Sequence, residues 1–590
     1  MDIKDFPMPT RSERASELLA ASRSPHAGVF ITAPETLELL EDSLPEAAYT
    51  DGSTITASLG NCRCTSDAKA IKQFTAHARV PSDAAQIALG HECLHMILQA
   101  PAASGLKPGD LTVITPGHAA QPVDPNTMNP AADGVLAAMG YSYRYLGGLR
   151  TFNAIPASAA DCVRENGFGN LYSSVPDHPH ASLTTLAHAE PFACNYGTNA
   201  HIFFEAGDGS FRYGVPPRAN VAYLGGTARM AMVNLTIVAN VPDDELPQVV
   251  SITGSASKLR DLAEFALIRR LRAKGVVVQL IDRQSDSIVE QLTQHGRPDV
   301  IWTNFAAAEV YDQAVTAIAP GGNINSYAGA ADPALALPMT LTAAPAFADL
   351  AAEAQSQVQA MHHNLTPNDR TRQRGLATTP RVRLIGFDAG RAEAYAAAMP
   401  AGAITDEGPW TDVFIAGTGD GAAAAYADVE LQLARNAAVN LVDGDCTIQI
   451  RSRHTHYTTR HQICGSNVPW TMTNTSEPAA ADLARQAIAP IDFDWMVTGV
   501  VGLNGAVDMM EKVGASSPFG SFFVFNDLPN LPFVDATSES FRAAAAAASG
   551  LDRAALSAAA DALDSHGNSW CRAAEEALYE AYGVPYPLAL

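Results

Sequence analysis

The fold is decided by the stretch Val221-Ala-Tyr-Leu-Gly-Gly-Thr-Ala-Arg-Met-Ala231. Its apolar beginning predicts a short buried strand, the paired glycines predict a tight turn, and the run from Ala228 to Val238 predicts a helix. Further strands alternate with helices downstream and are predicted at 249–252, 276–281, 299–304 and 323–326. Strands that alternate with helices in this way predict an α/β fold with a parallel, doubly wound sheet.

A similar series of strands and helices occurs a second time along the chain. The first series holds Asp299-Val-Ile-Trp-Thr-Asn-Phe305, a helix and Gly322-Asn-Ile-Asn-Ser-Tyr-Ala328; the second holds Asp412-Val-Phe-Ile-Ala-Gly417, a helix and Ala438-Val-Asn-Leu-Val-Asp-Gly444. We interpret the segment from about 275 to 445 as a partial duplication of a nucleotide-binding domain, or as an insertion of similar βαβ material, since any two βαβ units look alike.

The composition is typical of a packed globular protein with more than one domain. The chain has 590 residues, which is too long for a single hydrophobic core, so two or three domains are expected. A net charge of −24 argues against a nucleic-acid partner, which requires a basic surface. Because no apolar run is long enough for a membrane helix and no secretory signal is visible, we expect a cytoplasmic protein without a membrane partner.

Three short motifs ahead of the predicted sheet carry metal-binding side chains. Cys64-Thr-Ser-Asp67 is followed by Gly90-His-Glu92, and Glu190 lies further on in His188-Ala-Glu-Pro191. Thiolate, neutral imidazole and carboxylate are ligands that zinc accepts, and a catalytic zinc needs three protein ligands and one open position. Each residue alone is more often structural, but the three motifs together predict one catalytic Zn²⁺.

The predicted roles differ among these residues. Cys64, His91 and Glu190 are the candidate ligands, while Glu92 is either a ligand in the resting state or a group that tunes the charge of the ligands. If Cys64 binds zinc, the Ser66 hydroxyl can reach the substrate oxygen and pass its proton towards solvent. Ser66 and Glu92 are therefore the candidate catalytic residues.

Two alternatives remain open for the metal. Cys62 could replace Cys64 as the thiolate, although its position relative to Ser66 makes it the weaker candidate. His91-Glu-Cys-Leu-His95 matches the His-Glu-x-x-His pattern of zinc proteases, in which both histidines lie on one helix. A protease would leave Cys64 and Glu190 without a function, and the nucleotide-type sheet downstream favours a dehydrogenase.

These motifs resemble those of the medium-chain dehydrogenase/reductase superfamily of the zinc alcohol dehydrogenase type, and within it L-sorbose-1-phosphate reductase and sorbitol-dehydrogenase-like polyol enzymes. The resemblance runs from about 55 to 530 and includes the stretches at 70–73, 77–83, 137–143, 189–194, 412–414 and 496–503. It implies that Cys64, His91 and Glu190 hold the metal, that Glu92 lies close to it and that Ser66 relays a proton.

The resemblance also implies a domain organisation. A GroES-like, β-rich catalytic domain is expected over 1–215, a Rossmann domain over 216–490 with extra βαβ material around 330–445, and a return to the catalytic domain with a C-terminal helical extension over 491–590. Many relatives bind a structural zinc with a four-cysteine loop, but residues 110–160 contain no Cys, so one zinc is expected. A homodimer or homotetramer is the expected assembly.

The dinucleotide-binding motif departs from its usual form. Gly-x-Gly-x-x-Gly falls on residues 226–231 directly after Gly225; Gly226 keeps the first glycine, and Ala228 and Ala231 replace the second and third. The second glycine lets the backbone approach the pyrophosphate and the third lets helix and strand pack closely. Since alanine adds only a methyl group at each position, we expect weakened rather than abolished binding.

The acidic residue that holds the ribose hydroxyls of NAD is also replaced. Thr253-Gly-Ser255 stands at the end of the second predicted strand, where the carboxylate is expected. Lys258 and Arg260 follow closely, and a basic side chain at this place can accept the 2′-phosphate of NADP. The cofactor is therefore expected to be NAD or NADP, with NADP favoured.

Three functions are compatible with these residues. The first is a zinc-dependent oxidoreductase that transfers hydride between NAD(P)(H) and a small-molecule substrate, a polyol, sugar or sugar phosphate. The altered glycine motif and the extra βαβ material motivate the second, a dehydrogenase-fold enzyme with non-redox or redox-neutral zinc chemistry, such as a lyase, epimerase or cyclase. The third is a non-enzymatic or regulatory subunit, against which the retained ligand set argues.

Overall fold

The architecture is taken from a computed structural model of the chain. It describes residues 9–76, 80, 82–114, 146–157, 172–175, 181–199, 202–205, 211–305, 307–319, 322–326, 336–341, 349–355, 380–443, 446–451, 461–465, 468–471, 488, 491–512 and 519–590. The stretches at 77–79 and 137–143, which contribute to the family resemblance, lie outside the described residues.

The described residues form α-helices and β-strands in alternation with short turns. The helices are α1 (Arg11–Ala21), α2 (Thr65–Gln73), α3 (Leu183–Ala187), α4 (Ala189–Asn199), α5 (Arg229–Ala239), α6 (Ala256–Ala263), α7 (Ala266–Ala273), α8 (Ile288–Thr293), α9 (Ala308–Ala317), α10 (Ala389–Ala398), α11 (Gly419–Val429), α12 (Ala506–Lys512), α13 (Ser538–Ala547), α14 (Gly550–Ser565) and α15 (Arg572–Tyr582). The strands are β1 (His26–Ala33), β2 (Thr36–Asp42), β3 (Thr54–Cys62), β4 (Ile87–Ala88), β5 (Glu92–Gln99), β6 (Leu111–Ile114), β7 (Phe152–Ile155), β8 (Tyr172–Ser174), β9 (Phe203–Glu205), β10 (Phe211–Tyr213), β11 (Asn220–Leu224), β12 (Val249–Gly254), β13 (Val277–Asp282), β14 (Val300–Thr303), β15 (Asn323–Ser326), β16 (Ala336–Leu341), β17 (Val382–Ile385), β18 (Trp410–Ile415), β19 (Leu433–Leu441), β20 (Cys446–Arg451), β21 (His461–Gly465), β22 (Val468–Thr471), β23 (Val497–Gly502), β24 (Ser521–Phe525) and β25 (Val534–Asp535).

The chain divides into two compact units. Unit 1 comprises residues 1–122, 131–193 and 481–590, and unit 2 comprises residues 123–130 and 194–480. The chain thus leaves unit 1 within α4 and returns to it before β23.

Unit 1 is rich in β-structure. Its main sheet has eight strands, with the order β25-β23-β24-β3-β5-β6-β8 and β7 paired to β3, and a smaller sheet has the order β2-β1-β4. β3 is buried along its whole length, because it lies at the centre of the main sheet. β24, from the last hundred residues, pairs with β3 from the first hundred, and β23 pairs with β24, so the main sheet joins two distant parts of the chain.

Unit 2 contains a ten-stranded sheet in which the first five strands have the order β13-β12-β11-β14-β15, all parallel. This is the strand order of a doubly wound dinucleotide-binding sheet, in which the chain starts in the centre and reverses its direction of travel between β11 and β14. The predicted α/β fold class, a β-rich GroES-like domain with a doubly wound Rossmann sheet, agrees with this architecture.

The extra βαβ material forms a second parallel block at the end of the same sheet. β17, β18, β19 and β21 are parallel neighbours, and β21 joins the first block through an antiparallel pairing with β22, which itself runs parallel to β15. In the first series the chain crosses from β13 over two strands to β14, whereas in the second it moves from each strand to its neighbour. The two series therefore share local pattern but not strand order, which favours insertion over duplication.

Both blocks share one hydrophobic core. Leu224, Ile301 and Ile324 of the first block belong to the same buried cluster as Val413 and Leu441 of the second. Removing so much apolar surface from water strongly favours folding, so the added block is an integral part of unit 2.

Two helical predictions require correction. The helix predicted over 257–274 is divided into α6 and α7 at Glu264 and Phe265, where Phe265 has an extended backbone and begins the second helix. The Ala-rich tail forms three helices rather than two; the predicted break at Gly550 is present, and a second break follows His566-Gly567, where Gly567 has a φ of +67°. No helix in the described part of the chain is long and apolar enough to span a membrane.

Candidate metal centre and nucleotide pocket

Two neighbouring strands of unit 1 bring the metal motifs together. β3 pairs antiparallel with β5, and Cys62 at the end of β3 lies opposite Glu92 at the start of β5. Cys64 and His91 directly continue these two strand ends, so residues almost thirty positions apart in sequence meet at one edge of the sheet. Gly90 permits this approach, because it has a φ of +91° and a Cβ there would lie 2.6 Å from the Asn61 Oδ1 atom.

The resulting donor set consists of Cys64, His91 and Glu92. Their ligand atoms all lie within 4.8 Å of one another. His91 and Glu92 are buried, whereas Cys64 is partly exposed. A thiolate, an imidazole and a carboxylate at this separation form a set that fits zinc, and the partial exposure of Cys64 leaves the set open to solvent on that side.

Asp67 supports this set and was assigned no role from the sequence. It lies in the first turn of α2, where its Oδ2 accepts a hydrogen bond of 2.9 Å from the Cys64 backbone N–H, and its Oδ1 lies 3.3 Å from Nδ1 of His91. α2 is held in place because Ala70 and Phe74 pack into the core beside Val29. A carboxylate on one imidazole nitrogen fixes the ring and leaves the other nitrogen available for a metal.

The charges of this group depend on one another. Burial lowers the pKa of His91, but the neighbouring Cys64 thiolate and Asp67 carboxylate outweigh it and raise that pKa well above its usual range. Burial likewise opposes ionisation of Asp67, yet the charge of His91 and its hydrogen bond hold the pKa of Asp67 below its usual value. Since a metal ligand must be a neutral imidazole, metal binding here would release a proton.

Two predicted residues are not brought into this set. Glu190 lies in the first turn of α4 and is partly buried, but its carboxylate is outside the group of donors within 4.8 Å. Ser66 lies in the first turn of α2, and its side chain is outside the described residues. The roles of Glu190 as a ligand and of Ser66 as a proton relay remain predictions, and Glu92 is the carboxylate adjacent to Cys64 and His91.

The protease interpretation of His91-Glu-Cys-Leu-His95 is wrong. The expected helix is absent, because Glu92 to Gln99 form strand β5, on which two residues four positions apart are separated by about 13 Å. His95 points to Thr56 and Ser58, with its Nδ1 3.3 Å from the Thr56 hydroxyl, and burial lowers its pKa to about 3. His95 is thus a neutral core histidine.

Unit 2 holds a cavity of about 480 Å³ at the carboxyl ends of its parallel strands. The predicted cofactor-binding residues that line it are Gly225, Ala228, Thr253, Ser255 and Lys258. Its other lining residues are Thr227, Gly254, Arg283, Gln284, Ile288, Asn304, Phe305, Glu309, Val310 and Gln313. A crevice at the carboxyl ends beside the point where the strand order reverses is where doubly wound sheets bind nucleotides.

The glycine turn of this cavity is tied to the second strand. The Gly225 N–H donates to the Thr253 hydroxyl at 2.8 Å, and the Gly226 N–H donates to the Thr253 carbonyl at 3.0 Å. Gly225 has a φ of +71°, which an L side chain rarely adopts, and a Cβ on Gly226 would lie 2.5 Å from that of Tyr223. Thr253 therefore takes over a structural role at the position where NAD-binding sheets place a carboxylate.

The two alanines of the motif have different surroundings. Ala228 caps the beginning of α5 and lines the cavity, so its methyl group stands where a pyrophosphate would approach the helix N-terminus. Ala231 is fully buried and, like Gly226, does not line the cavity; it packs within unit 2.

The charged side chains of the cavity differ from the predicted pair. Lys258 lines it, but Arg260 is exposed and does not. Arg283, directly after β13, lines it instead, together with the carboxylate of Glu309. Arg283 could have been predicted from its position directly after the third parallel strand. The carboxyl ends of adjacent parallel strands lie side by side, so residues that follow them line the same crevice.

Comparison with known proteins yields distant similarities. No family model matches the chain. A curated relative, uncharacterized protein YggP of Escherichia coli strain K12, is 25% identical over 304 residues, which are 49% of this chain. The match spans 64% of that relative, less than two thirds of its length.

Among solved structures the chain is similar to dehydrogenases. A Sinorhizobium meliloti 1021 protein bound to NADP has 13% identity and a TM-score of 0.42, with 85% of this chain and 100% of that chain covered. The 2R,3R-butanediol dehydrogenase of Bacillus subtilis and the L-idonate 5-dehydrogenase of E. coli have 11% identity, TM-scores of 0.45 and 0.41, and coverage of 85% and 99%. At these identities and TM-scores the similarity assigns no function to this chain.

Proposed function

We propose that this chain is a zinc-dependent oxidoreductase of the medium-chain dehydrogenase type, which transfers hydride between NADP(H) and an alcohol or carbonyl group of a polyol, sugar or sugar phosphate. The observation that carries the proposal is the donor set of Cys64, His91 and Glu92 with Asp67 behind it. The cavity of unit 2, at the place where doubly wound sheets bind nucleotides, supplies the second requirement.

The residues of unit 1 would have different roles around the metal. Cys64, His91 and Glu92, with Glu190 as the further candidate, would hold zinc, while Asp67 keeps the His91 ring in its orientation. When bound, zinc supplies Lewis-acid stabilisation of negative charge on a substrate oxygen, and the nicotinamide supplies or accepts hydride. Ser66 would move the proton of the reacting oxygen towards solvent.

The residues of unit 2 would hold the cofactor. The N-terminus of α5 and the glycine turn would face the pyrophosphate, because unpaired N–H groups at a helix start attract anions. Ser255, Lys258 and Arg283 would hold a 2′-phosphate, and two cations with no carboxylate at the end of β12 favour NADP over NAD.

The test is a combined measurement of metal, cofactor and turnover. We expect purified chain to contain about one zinc per chain and to change the absorbance of NADPH at 340 nm with members of a panel of polyols, ketoses and their phosphates. A Cys64→Ser variant should lose zinc and turnover together, and Cys446→Ser, which changes a cysteine of β20 in unit 2, should lose neither.

The same measurements distinguish the proposed hydride transfer from redox-neutral zinc chemistry. Bound zinc with turnover of a substrate but no net change at 340 nm, and with nucleotide retained through purification, would replace the proposal with a redox-neutral reaction. Protein without zinc after growth in zinc-supplemented medium would contradict both.

A further inference from the structure

A buried carboxylate from the C-terminal helices is hydrogen-bonded to the beginning of α3. Glu575, in the first turn of α15, is fully buried and accepts hydrogen bonds from the backbone N–H groups of Leu183 at 2.8 Å and Thr184 at 3.1 Å. The Trp570 indole N–H and the Tyr586 hydroxyl also donate to it. Glu575 thus satisfies the free N–H groups at the start of a helix to which it is not connected in sequence.

Asp494 holds the same helix start from another direction. It lies just before β23 and is buried, and its Oδ1 accepts from the hydroxyls of Ser182, Thr184 at 2.8 Å and Thr185 at 2.9 Å. The Thr185 hydroxyl in turn accepts from the Phe493 backbone N–H at 3.2 Å. Two carboxylates, one of them from the tail, therefore anchor one turn of helix.

The other end of α3 is fixed as well. His188, which caps it, has Nδ1 2.7 Å from the Thr184 carbonyl and Nε2 3.2 Å from the Ser521 hydroxyl. Its ring stacks on Phe493, and its Nδ1 lies 3.5 Å from Cys62 Sγ. Cys62 is two residues before Cys64, so this anchor touches the strand that leads into the donor set.

Burying two carboxylates is costly unless they are hydrogen-bonded, and here both oxygens of Glu575 and the Oδ1 of Asp494 accept hydrogen bonds. α3 has only five residues and could not form by itself. Glu190 follows two residues after His188, in the first turn of α4. The position of Glu190 therefore depends on anchors that the C-terminal extension supplies.

We infer that Glu575, from the C-terminal helices, and Asp494, from the segment before β23, are positioning residues for Glu190 and thereby set the metal affinity of unit 1. This inference rests on the proposed function, because it gives Glu190 a metal to hold. A carboxylate that orients a metal ligand from outside the ligand set contributes about ten- to a hundredfold in affinity.

The test compares zinc affinity by chelator competition in the full-length chain and in four variants. Asp494→Ala removes the oxygen that accepts the three hydroxyls, and Glu575→Gln exchanges one accepting oxygen for an NH₂ group. Glu190→Gln tests the ligand, and Glu576→Gln, whose carboxylate is exposed on the same helix beside Arg572, is the matched control. Circular dichroism confirms folding at the temperature of measurement, and the absorption spectrum of Co²⁺-substituted protein reports ligand geometry.

We expect Glu190→Gln, Asp494→Ala and Glu575→Gln each to weaken zinc binding at least about tenfold and to alter the Co²⁺ spectrum, with Glu576→Gln within twofold of wild type. If Asp494→Ala fails to fold, Glu575→Gln decides alone. The inference is overturned while the proposed function stands if Glu190→Gln weakens zinc binding but the two anchor variants lower only the unfolding temperature. Zinc binding unaffected by Glu190→Gln overturns it as well, and wild-type protein that binds no zinc overturns both.

Discussion

Asp67 shows how one residue can serve structure and chemistry together. Its two carboxylate oxygens make different contacts. Oδ2 accepts a hydrogen bond from the Cys64 N–H at the start of α2, and Oδ1 faces His91. An acidic residue at the third position of a helix is common as a cap, so the sequence pattern alone indicates no more than a cap. Its second contact depends on β5, which lies 25 residues further on and is brought close only by the sheet.

The first prediction concerns Asp67→Asn. Because the amide is uncharged and retains only one accepting oxygen, we expect zinc affinity to fall about ten- to a hundredfold, as measured by chelator competition. Asp51→Asn, which changes an exposed carboxylate in a nearby turn, is the control and should leave the affinity unchanged. Equal affinities in the two variants would reduce Asp67 to a helix cap.

The second prediction concerns Arg283→Ala. If Arg283 contacts the 2′-phosphate, its loss should raise the KM for NADPH about tenfold, which corresponds to about 1.4 kcal/mol, and change that for NADH less than twofold. Arg260→Ala, which removes a cation outside the cavity, serves as the control. A parallel loss for both cofactors would instead assign Arg283 to the shared pyrophosphate.

At the scale of elements, the strands were predictable and the helix ends less so. β11 and β12 are buried apolar runs bounded by turn residues, and such runs predict buried strands well. The break between α6 and α7 was not predictable from periodicity, because apolar residues continue at helical spacing across Glu264 and Phe265. The last break is marked in sequence by the turn residues Gly567-Asn-Ser569, and Gly567 and Asn568 both have a positive φ.

The candidate site, like the secondary structure, was predictable from the sequence only in part. Cys64 and His91 continue the paired ends of β3 and β5, Glu92 begins β5, and the chemistry of these three residues marks them in sequence as candidate metal ligands. The contribution of Glu575 was not predictable, because a carboxylate in an Ala-rich helix has no local sign of its partner almost four hundred residues earlier.

The third prediction concerns the start of α5 and contrasts its two alanines. Ala228→Gly removes a methyl group from the wall of the cavity, so we expect NADPH to bind severalfold more tightly. Ala231→Gly removes a buried methyl group inside the helix, so we expect about 1 kcal/mol or more of lost stability and no gain in affinity. Isothermal titration and thermal unfolding measure the two effects; tighter binding in Ala231→Gly would contradict this division.

For the whole molecule, buried carboxyl groups link stability to pH. Burial and the nearby charges of Glu575 and Asp492 raise the pKa of Asp494 to about 7, and burial raises the pKa of Asp527 to about 7, where Tyr579 donates a hydrogen bond. A carboxyl group whose pKa is raised by folding contributes stability below its unfolded pKa of 3.8, and this contribution is lost as pH rises through the folded pKa.

The fourth prediction follows from this direction of the change in stability with pH. The free energy of unfolding should decrease as pH rises from about 4 to about 7, by up to about 1.4 kcal/mol per pH unit for each such group, and level off above this range. Asp494→Asn and Asp527→Asn should each flatten the decrease, because asparagine does not titrate. Urea denaturation at several pH values measures it, and Asp508→Asn, in α12, is the control; an unchanged slope in both core variants would contradict the prediction.

The antiparallel pairing of β21 with β22 has a geometric consequence for unit 2. It reverses the strand direction of the second block. The carboxyl ends of β17, β18 and β19 therefore lie on the side of the sheet where β11, β12 and β14 have their amino ends. A strand of five or six residues spans roughly 17–20 Å, which is the distance between the two edges. The loops that follow the inserted strands therefore lie at the other ends of the strands from the cavity of unit 2, and we expect substitutions in them to leave the lining of that cavity unchanged.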